Sequence, residues 1–502
     1  MKQKLLIMIG FALLLIVSGC SSFGQMNSTD NDKQTPDEHM DDSENENDSS
    51  NDQKDMEEHE HDMPLESSTG ENELNIPSIL ENDKETKEDV YYTIDAQQGQ
   101  TEIFDDIQTK TLGYNSSFLG PVVKLKKGQT AHVTLKNSLE EETTFHWHGL
   151  IVDEEADGGP HTVIEPGEEK DITFDVQQEK ATLWFHPHPD GKTAKQVFNG
   201  LAGLLYIEDE NVKDTYEYGE NDFPLIIQDR TFDDEKQLNY EAVKDPDGTM
   251  GETLLINGTV NPRLNVNQEK VRLRLVNGSN MRDYKIKLSN DEKFEQIASD
   301  GGLLNEPVEL KELELTPSER AEIIVDFSQF EKDEDIKLMM DDETILLPFQ
   351  VNEKKSESEN EIELPKESIE INDEEMEMPV SKEVTLSGMD EDVKINGKQF
   401  DMDRIDFTQN QGETEVWEIY NEPDDMGGMI HPFHIHGTQF KVISINGEKP
   451  PKNLQGYKDT ISVDPGDKAK VAVKFEEKGT YMFHCHILEH EDNGMMGQIK
   501  VE

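Results

Sequence analysis

Ten of the 15 histidines in this 502-residue chain stand in four short clusters. Each cluster contains two histidines separated by a single residue, and in a β-strand such residues project from the same face. Each pair therefore presents two imidazoles side by side, as adjacent metal centres require. The clustered histidines are His146 and His148; His186 and His188; His431, His434 and His436; and His484, His486 and His490.

The last cluster surrounds a cysteine. In the run His484-Cys485-His486, strand alternation places the thiol on one face and both imidazoles on the other. One strand can thus serve two metal sites, a suitable arrangement for electron transfer. His490 and Met495 follow, and the chain can loop back to bring both to the thiol side.

His431 is expected to join the cysteine. Pro432 follows it and breaks strand alternation, so His431 diverges from His434 and His436. The result is two histidines, one cysteine and a weak thioether ligand, a set that binds blue copper. Structural zinc favours several cysteines or a tetrahedral mixture, and non-haem iron favours two histidines and a carboxylate. We interpret the isolated His132 and His161 as structural residues.

The clustered histidines and Cys485 must be positioned by short runs in which apolar and polar residues alternate, bounded by Gly, Pro, Asn or Asp. Such runs are typical of antiparallel strands in β-sandwiches. The chain length suggests about three domains. A similar strand–loop–strand unit occurs near both ends, whereas residues 213–352 contain no histidine. We predict an all-β fold of three sandwiches: 89–212 and 381–502 with metal ligands, 213–352 without them, and a charged interdomain loop at 353–380.

The start of the chain predicts export. Two lysines precede an apolar run that ends in Val17-Ser18-Gly19-Cys20, which resembles a bacterial lipobox. This resemblance implies that residues 1–20 are a lipoprotein signal peptide and that lipid on Cys20 anchors the protein to the outer face of the cell membrane. The alternative is an ordinary secretory signal. Residues 21–88 are acidic and poor in apolar side chains, and we predict a disordered tether there.

Composition excludes other classes. The formal charge is −63, so nucleic acid is not expected as a partner, because phosphate binding needs basic patches. A mean hydropathy of −0.77 rules out an integral membrane protein. Two cysteines, Cys20 and Cys485, exclude a scaffold of many disulfides. The acidic surface favours cationic substrates, and we expect a monomer.

The four histidine segments, in this order and spacing, resemble the ligand motifs of the multicopper oxidases. The resemblance covers residues 89 to 502 and implies three cupredoxin-like Greek-key domains with four copper ions. By motif position, the type 1 copper would be bound by His431, Cys485, His490 and Met495. The type 2 copper would be bound by His146 and His434, and the type 3 pair by His148, His186, His188, His436, His484 and His486.

The resemblance also implies a reaction. One-electron oxidations of a reducing substrate would be coupled to reduction of O₂ to water, with Cys485 as the route for electrons. Glu491 and Asp157 match positions where similar oxidases carry proton-relay acids. Asp157 also fits a plain turn, and Glu491 fits one more surface acid. A copper-binding or electron-transfer protein without turnover is the alternative, and a copper nitrite reductase matches less well.

Among these oxidases the chain looks most like bacterial copper-resistance enzymes, which oxidise Cu(I). A substrate copper site would combine methionine and aspartate; the candidates are Met429, Met389 and Asp390, with Met426 and Asp425 as weaker ones. The chain lacks the long Met-rich segment of the best-known cuprous oxidases, and Gly427 stands where an acid is expected. Phenols, aromatic amines and diamines therefore stay open as reducing substrates.

Overall fold

The computed structural model describes residues 63–355, 361–366, 372–424 and 427–502. These residues form three β-sandwiches, each with two facing sheets and its own hydrophobic core. The predicted all-β class is confirmed. The predicted signal peptide, Cys20 and the first part of the predicted tether lie outside the described residues.

The first sandwich pairs a sheet of five strands with one of three. In Thr130–Asn137, buried residues alternate with half-buried ones, which is the pattern of a strand with one face on a core. The elements up to residue 208 are β1 (Asn72–Glu73), β2 (Lys84–Glu85), β3 (Asp89–Phe104), β4 (Ile107–Tyr114), β5 (Val122–Lys126), β6 (Thr130–Asn137), α1 (Glu154–Asp157), a 3₁₀ turn (Pro160–Thr162), β7 (Glu169–Asp175), β8 (Ala181–Phe185), α2 (Thr193–Phe198) and β9 (Gly203–Glu208). The larger sheet has the order β2-β3-β6-β7 with β4 on β3, and the smaller has the order β5-β9-β8.

The second sandwich is the largest. Its elements are β10 (Asp222–Arg230), α3 (Tyr240–Val243), β11 (Thr253–Ile256), β12 (Thr259–Val260), β13 (Pro262–Gln268), β14 (Lys270–Asn277), β15 (Tyr284–Leu288), β16 (Phe294–Ser299), β17 (Gly302–Leu310), β18 (Glu312–Leu315), β19 (Arg320–Asp326), a 3₁₀ turn (Phe327–Gln329), β20 (Asp335–Met340) and β21 (Ile345–Lys355). The sheet orders are β12-β11-β10-β14-β19-β16-β17 and β1-β13-β21-β20-β15-β18. Every residue of β10 is buried, because one of its faces also covers the first sandwich.

The third sandwich carries the cysteine. Its elements are α4 (Asp373–Met376), β22 (Val380–Ser387), a 3₁₀ turn (Asp390–Asp392), β23 (Lys394–Ile395), β24 (Phe407–Gln409), β25 (Thr414–Asn421), β26 (His431–Ile435), β27 (Phe440–Ile445), a 3₁₀ turn (Lys452–Leu454), β28 (Tyr457–Lys458), β29 (Thr460–Val463), β30 (Lys468–Lys474), β31 (Gly479–Cys485), α5 (Leu488–Asp492) and β32 (Met496–Val501). The sheet orders are β23-β22-β25-β30-β27-β28 and β24-β32-β31-β26-β29. Of the helices in the described ranges, none has the length and apolar character to cross a membrane.

Two short helices join the first and third sandwiches. The carboxylate of Asp492, at the end of α5, accepts hydrogen bonds from the backbone N–H groups of Thr193 (2.9 Å) and Ala194 (3.0 Å) in α2. Leu488 of α5 packs in one cluster with Val197 and other residues of α2. These contacts hold the segment after Cys485 against the first domain.

The predicted tether ends earlier than expected. The prediction of a disordered tether is wrong for residues 63–88, because β1 adds to the second sandwich in parallel with β13 and β2 pairs with β3. Leu65 and Leu74 are buried in the core of the second domain. A few apolar side chains spaced along an acidic run are enough to dock it, a signal that average composition does not show.

Candidate metal centres

Strands β26 and β31 bring the third and fourth histidine clusters together. In their antiparallel register, Phe433 lies opposite Cys485 and His434 lies opposite His484. Directly opposite residues share a face of the sheet. His434 and His484 thus point to one side and Cys485 to the other. His431, three residues before His434, faces the thiol side.

This geometry corrects one step of the sequence argument. Pro432 was expected to break strand alternation, but it lies inside β26, opposite Ser462 of β29. His431 does diverge from His434 and His436, and the reason is the odd spacing between them. The regular strand is therefore sufficient to divide the cluster between two sites.

The thiol side holds a closed group of donors. The Cys485 Sγ lies 3.4 Å from His431 Nδ1 and 3.8 Å from His490 Nδ1. Met495 is fully buried in the same core, and its backbone carbonyl accepts the N–H of Cys485 at 3.1 Å. Burial raises the pKa of the Cys485 thiol and lowers that of His431. A soft cation that replaces the thiol proton fits this group.

The other eight histidines form a second group between the first and third domains. Their ring nitrogens come within 4.8 Å of one another in three sets, and every set draws residues from both domains. The sets are His146, His148 and His434; His148, His186 and His486; and His188, His436 and His484. Imidazole rings of the first and third clusters also stack on one another. The ring centroids are 3.7 Å apart for His146 and His436 and for His148 and His434.

The orientations of these rings fit metal ions better than protons. Among the described residues, Nε2 of His146 and of His434 has no hydrogen-bond partner although it is buried. The Nε2 atom of His484 lies 3.2 Å from His188 Nε2 and 3.0 Å from His436 Nε2. Burial, first of all, lowers the pKa of His484 to about 4 and that of His186 to about 3. Neutral imidazoles whose lone pairs converge are ready-made metal ligands.

Backbone carbonyls fix which nitrogen is free. The Nδ1–H of His146 donates to the Asp157 carbonyl (2.9 Å), and that of His434 donates to the Asp459 carbonyl (2.7 Å). His484 Nδ1 lies 2.9 Å from the carbonyl oxygen of Cys485. Such bonds hold the ring tautomer and leave Nε2 as the ligand atom.

The two predicted relay acids are both buried beside this group. Asp157 ends α1, and its Oδ2 accepts the Nδ1–H of His436 at 2.8 Å. Burial raises the pKa of Asp157 to about 8. Asp157 also lies at a turn, as the sequence predicts. Gly158 follows it with φ +86°, and a Cβ at that position would clash with the Phe145 carbonyl.

Glu491 lies on α5, one residue after His490. Its Oε1 is 3.4 Å from His188 Nε2 and its Oε2 is 3.4 Å from His484 Nδ1. Burial, reinforced by neighbouring carboxylates, raises the pKa of Glu491 well above its usual range. The side chain is thus a carboxyl group placed between two histidines, and the surface reading of Glu491 is wrong.

The candidate substrate-copper residues lie near the thiol side, at the rim. Met429 is half-buried and packs against the core that contains Cys485. Asp390 is exposed, and its backbone N–H donates to Asp247 Oδ1. Met389, just before it, is half-buried. The weaker candidates Asp425 and Met426 lie outside the described residues.

Other residues beside the ligands were missed from the sequence. Asp459 contacts His148 and is itself paired with Arg320, and Asp247 Oδ1 lies 3.9 Å from His490 Nε2. They lie far along the chain from these ligands, so no local spacing marks them. His132, in contrast, pairs with Asp89 on the surface of β6, away from the clustered histidines. His161 Nε2 lies 2.5 Å from the Gln498 side-chain oxygen, as expected for a structural residue.

Comparisons with known proteins agree with this picture. Family models described as multicopper oxidase match residues 95–212, 221–335 and 373–502. "Multicopper oxidase mco" of Staphylococcus haemolyticus is 55% identical over 439 residues, which cover 87% of this chain and 94% of that protein. A multi-copper oxidase from Pediococcus acidilactici superposes with TM-score 0.83 at 44% identity, covering 89% of this chain and 94% of the other. A Campylobacter jejuni multicopper oxidase described as a metallo-oxidase gives TM-score 0.73 at 30% identity, covering 88% and 98%.

Proposed function

The chain belongs to the multicopper oxidase family, and from that membership we propose that it is a cuprous oxidase with laccase-like activity that serves copper tolerance. Family membership makes it an oxidoreductase that uses O₂ and a reducing substrate. The histidine clusters fit type 1, type 2 and type 3 copper, four ions in all. When bound, these ions supply one-electron oxidation of the substrate and reduction of O₂ to water.

One observation carries the oxidase activity: the thiol group and the histidine group share one strand. His484 and Cys485 are consecutive in the chain, and His484 Nδ1 also lies 2.9 Å from the Cys485 carbonyl oxygen. Covalent bonds and this contact thus give electrons a continuous route from the thiol side to the histidine side. A pure electron-transfer protein would need only the thiol group.

Two acids of this chain are proposed to deliver protons for O₂ reduction. Glu491 holds a proton between His188 and His484, and Asp157 holds one next to His436. Their raised pKa values keep the acids protonated near neutral pH, which is the state a general acid needs.

Residues at the rim of the thiol side support Cu(I) as the substrate. Soft thioethers at Met429 and Met389 occur with carboxylates at Asp390 and Asp247, and Cu(I) prefers soft ligands while carboxylates attract cations. Asp247 comes from the second domain and contacts both His490 and the backbone of Asp390. It thus places a buried acid beside His490 and Asp390, although Gly427 stands where the family resemblance predicts one.

A comparison of substrates tests the proposal. We expect Met429→Leu to lower kcat/KM for Cu(I) by about tenfold, equal to ~1.4 kcal/mol, because leucine keeps the packing and removes the sulfur. Oxidation of a phenol and of an aromatic amine should stay near wild-type values. The measurement is O₂ consumption by the copper-loaded protein with each substrate in turn.

Met376→Leu is the matched control, because Met376 packs on a different cluster, around Val416 and Ile443. Equal losses for Cu(I) and the phenol in Met429→Leu would argue against a substrate role for this sulfur. No O₂ consumption with Cu(I), Fe(II), phenols or aromatic amines would favour the alternative, a copper-binding protein without turnover.

We also propose that the protein is exported and held at the outer face of the cell membrane by lipid on Cys20. The support is the lipobox-like run that ends at this cysteine. Cys20→Ala should move the protein from the membrane fraction to the medium or the soluble fraction, because one diacylated residue is the proposed anchor. Wild-type protein found in the medium, with no lipid mass on Cys20, would contradict the proposal.

A further inference from the structure

Asp459 touches two of the clustered histidines. It lies between β28 and β29 and is fully buried. Its carbonyl oxygen accepts the Nδ1–H of His434 at 2.7 Å, and its Oδ1 lies 3.0 Å from Nε2 of His148. One residue therefore contacts a histidine from the third domain and a histidine from the first.

Asp157 makes a similar pair of contacts with two other histidines of the group. Its carbonyl oxygen accepts the Nδ1–H of His146, and its side-chain Oδ2 accepts the Nδ1–H of His436. Each aspartate thus contacts one histidine through its carbonyl oxygen and another through its side chain. They differ in their own partners. Asp157 Oδ1 has no hydrogen-bond partner among the described residues, whereas both oxygens of Asp459 are bound by Arg320.

Arg320 comes from the second domain, which has no histidine in the site. Its Nη1 and Nη2 lie 2.6 Å and 2.5 Å from the two oxygens of Asp459. Its backbone N–H donates to Asp300 Oδ1 at 2.8 Å, and Nη2 donates to the Asp300 carbonyl at 3.0 Å. A bidentate pair held this way has one geometry, and it compensates the buried charge of Asp459.

The glycine after His148 shows how closely this pair sits against the site. Gly149 has φ +84°, and a Cβ there would lie 2.3 Å from Asp459 Oδ2 and 2.7 Å from Arg320 Nη2. The turn from His148 thus leaves room only for hydrogen. His148 Nε2 is turned to Asp459, and its Nδ1 faces the cluster, 3.4 Å from His186 Nε2.

We propose that Asp459 and Arg320 are a positioning pair through which the second domain sets the ring orientation and ligand nitrogen of His148 and the ring orientation of His434. The carboxylate accepts the Nε2–H of His148, so Nδ1 keeps the lone pair. The Asp459 carbonyl accepts the Nδ1–H of His434, so Nε2 of that ring keeps the lone pair. The second domain thereby contributes to the metal group without supplying a ligand.

Asp459→Asn and Arg320→Lys test the pair. Each keeps a polar group in place and removes either the carboxylate charge or the bidentate fork. We expect affinity for copper at the histidine group to fall about 10- to 100-fold, the range for partners of metal-bound histidines. The readouts are bound copper per chain, the type 2 electron paramagnetic resonance spectrum and the near-ultraviolet absorption of the type 3 pair. The blue absorption of the thiol site should persist and reports on folding of the third domain.

Asp222→Asn is the matched control. Asp222 is as deeply buried, and Arg272 and Arg274 bind it in the second domain away from the clustered histidines. If the Asp459–Arg320 pair only stabilises the fold, all three variants will lower the thermal midpoint of the copper-free protein and none will change the type 2 or type 3 signals. Copper content and spectra equal to wild type in Asp459→Asn and Arg320→Lys would overturn the proposal. These readouts do not involve the reducing substrate, so a failure of Cu(I) oxidation leaves their interpretation unchanged.

Discussion

Cys485→Ser is expected to abolish O₂ consumption and to remove the blue absorption of the protein. Serine offers a hard hydroxyl where a soft thiolate binds copper, and it breaks the route from the thiol side to the histidines. The residue is fully buried among apolar side chains, so the small change should leave the fold intact. The type 2 electron paramagnetic resonance signal should stay, because His146 and His434 do not contact the thiol. Absorption, metal content and O₂ uptake measure the three effects.

Met495→Leu is the comparison variant. It removes a weak thioether from the same core and keeps its volume, so the blue absorption and turnover should persist. The reduction potential should rise, because a weak axial methionine lowers it relative to an apolar residue. Blue colour that survives in Cys485→Ser would show that another sulfur or none binds this copper, and that Cys485 is not its ligand.

Glu491→Gln is expected to slow O₂ reduction by about 10²- to 10⁴-fold, the usual contribution of a positioned proton donor. Glutamine has the shape of the protonated acid but cannot release the proton held between His188 and His484. Reduction of the blue site by substrate without O₂ should keep its wild-type rate. Stopped-flow absorption separates the two half-reactions, because bleaching reports reduction and the return of colour reports reoxidation.

Glu489→Gln is the matched control on the same helix. Glu489 is equally buried, but its oxygens accept hydrogen bonds from Tyr240, Thr249 and Asn280 of the second domain. Its substitution should lower thermal stability and leave reoxidation unchanged. A reoxidation rate that falls equally in both variants would show that α5 is merely disturbed, and Glu491 would lose its proposed role.

The ligands could be predicted because strand geometry is local. A histidine two residues from another shares its face, and a cysteine between them takes the other face, so His484, Cys485 and His486 already divide two sites. The structure brings together all the predicted histidines and Cys485 in groups of this kind. The prediction for Pro432 is wrong for a local reason too. The odd number of residues from His431 to His434 already puts these side chains on opposite faces, and Pro432 lies in the regular strand without breaking it.

The residues that reach the site from elsewhere could not be predicted. Asp459 depends on the position of β28, Arg320 on the docking of the second domain, and Asp247 on a loop before β11. Their sequence neighbours carry no periodic pattern that distinguishes them from other buried or surface charges. The docking of residues 63–88 was missed for a similar reason, because Leu65 and Leu74 are two apolar side chains in an acidic run.

Each set in the histidine group mixes residues from both ends of the chain. A nascent first domain therefore has only some of the ligands of each set, and metal uptake by the histidine group must wait until the last strand has been made and has folded. Bound ions stabilise the interface between the first and third domains, because a ligand that binds only the assembled form stabilises that form. Removal of the ions by a chelator should then weaken this interface before it destabilises either sandwich. Because the histidine group lies between the first and third domains, the chain must fold before these metal ions bind.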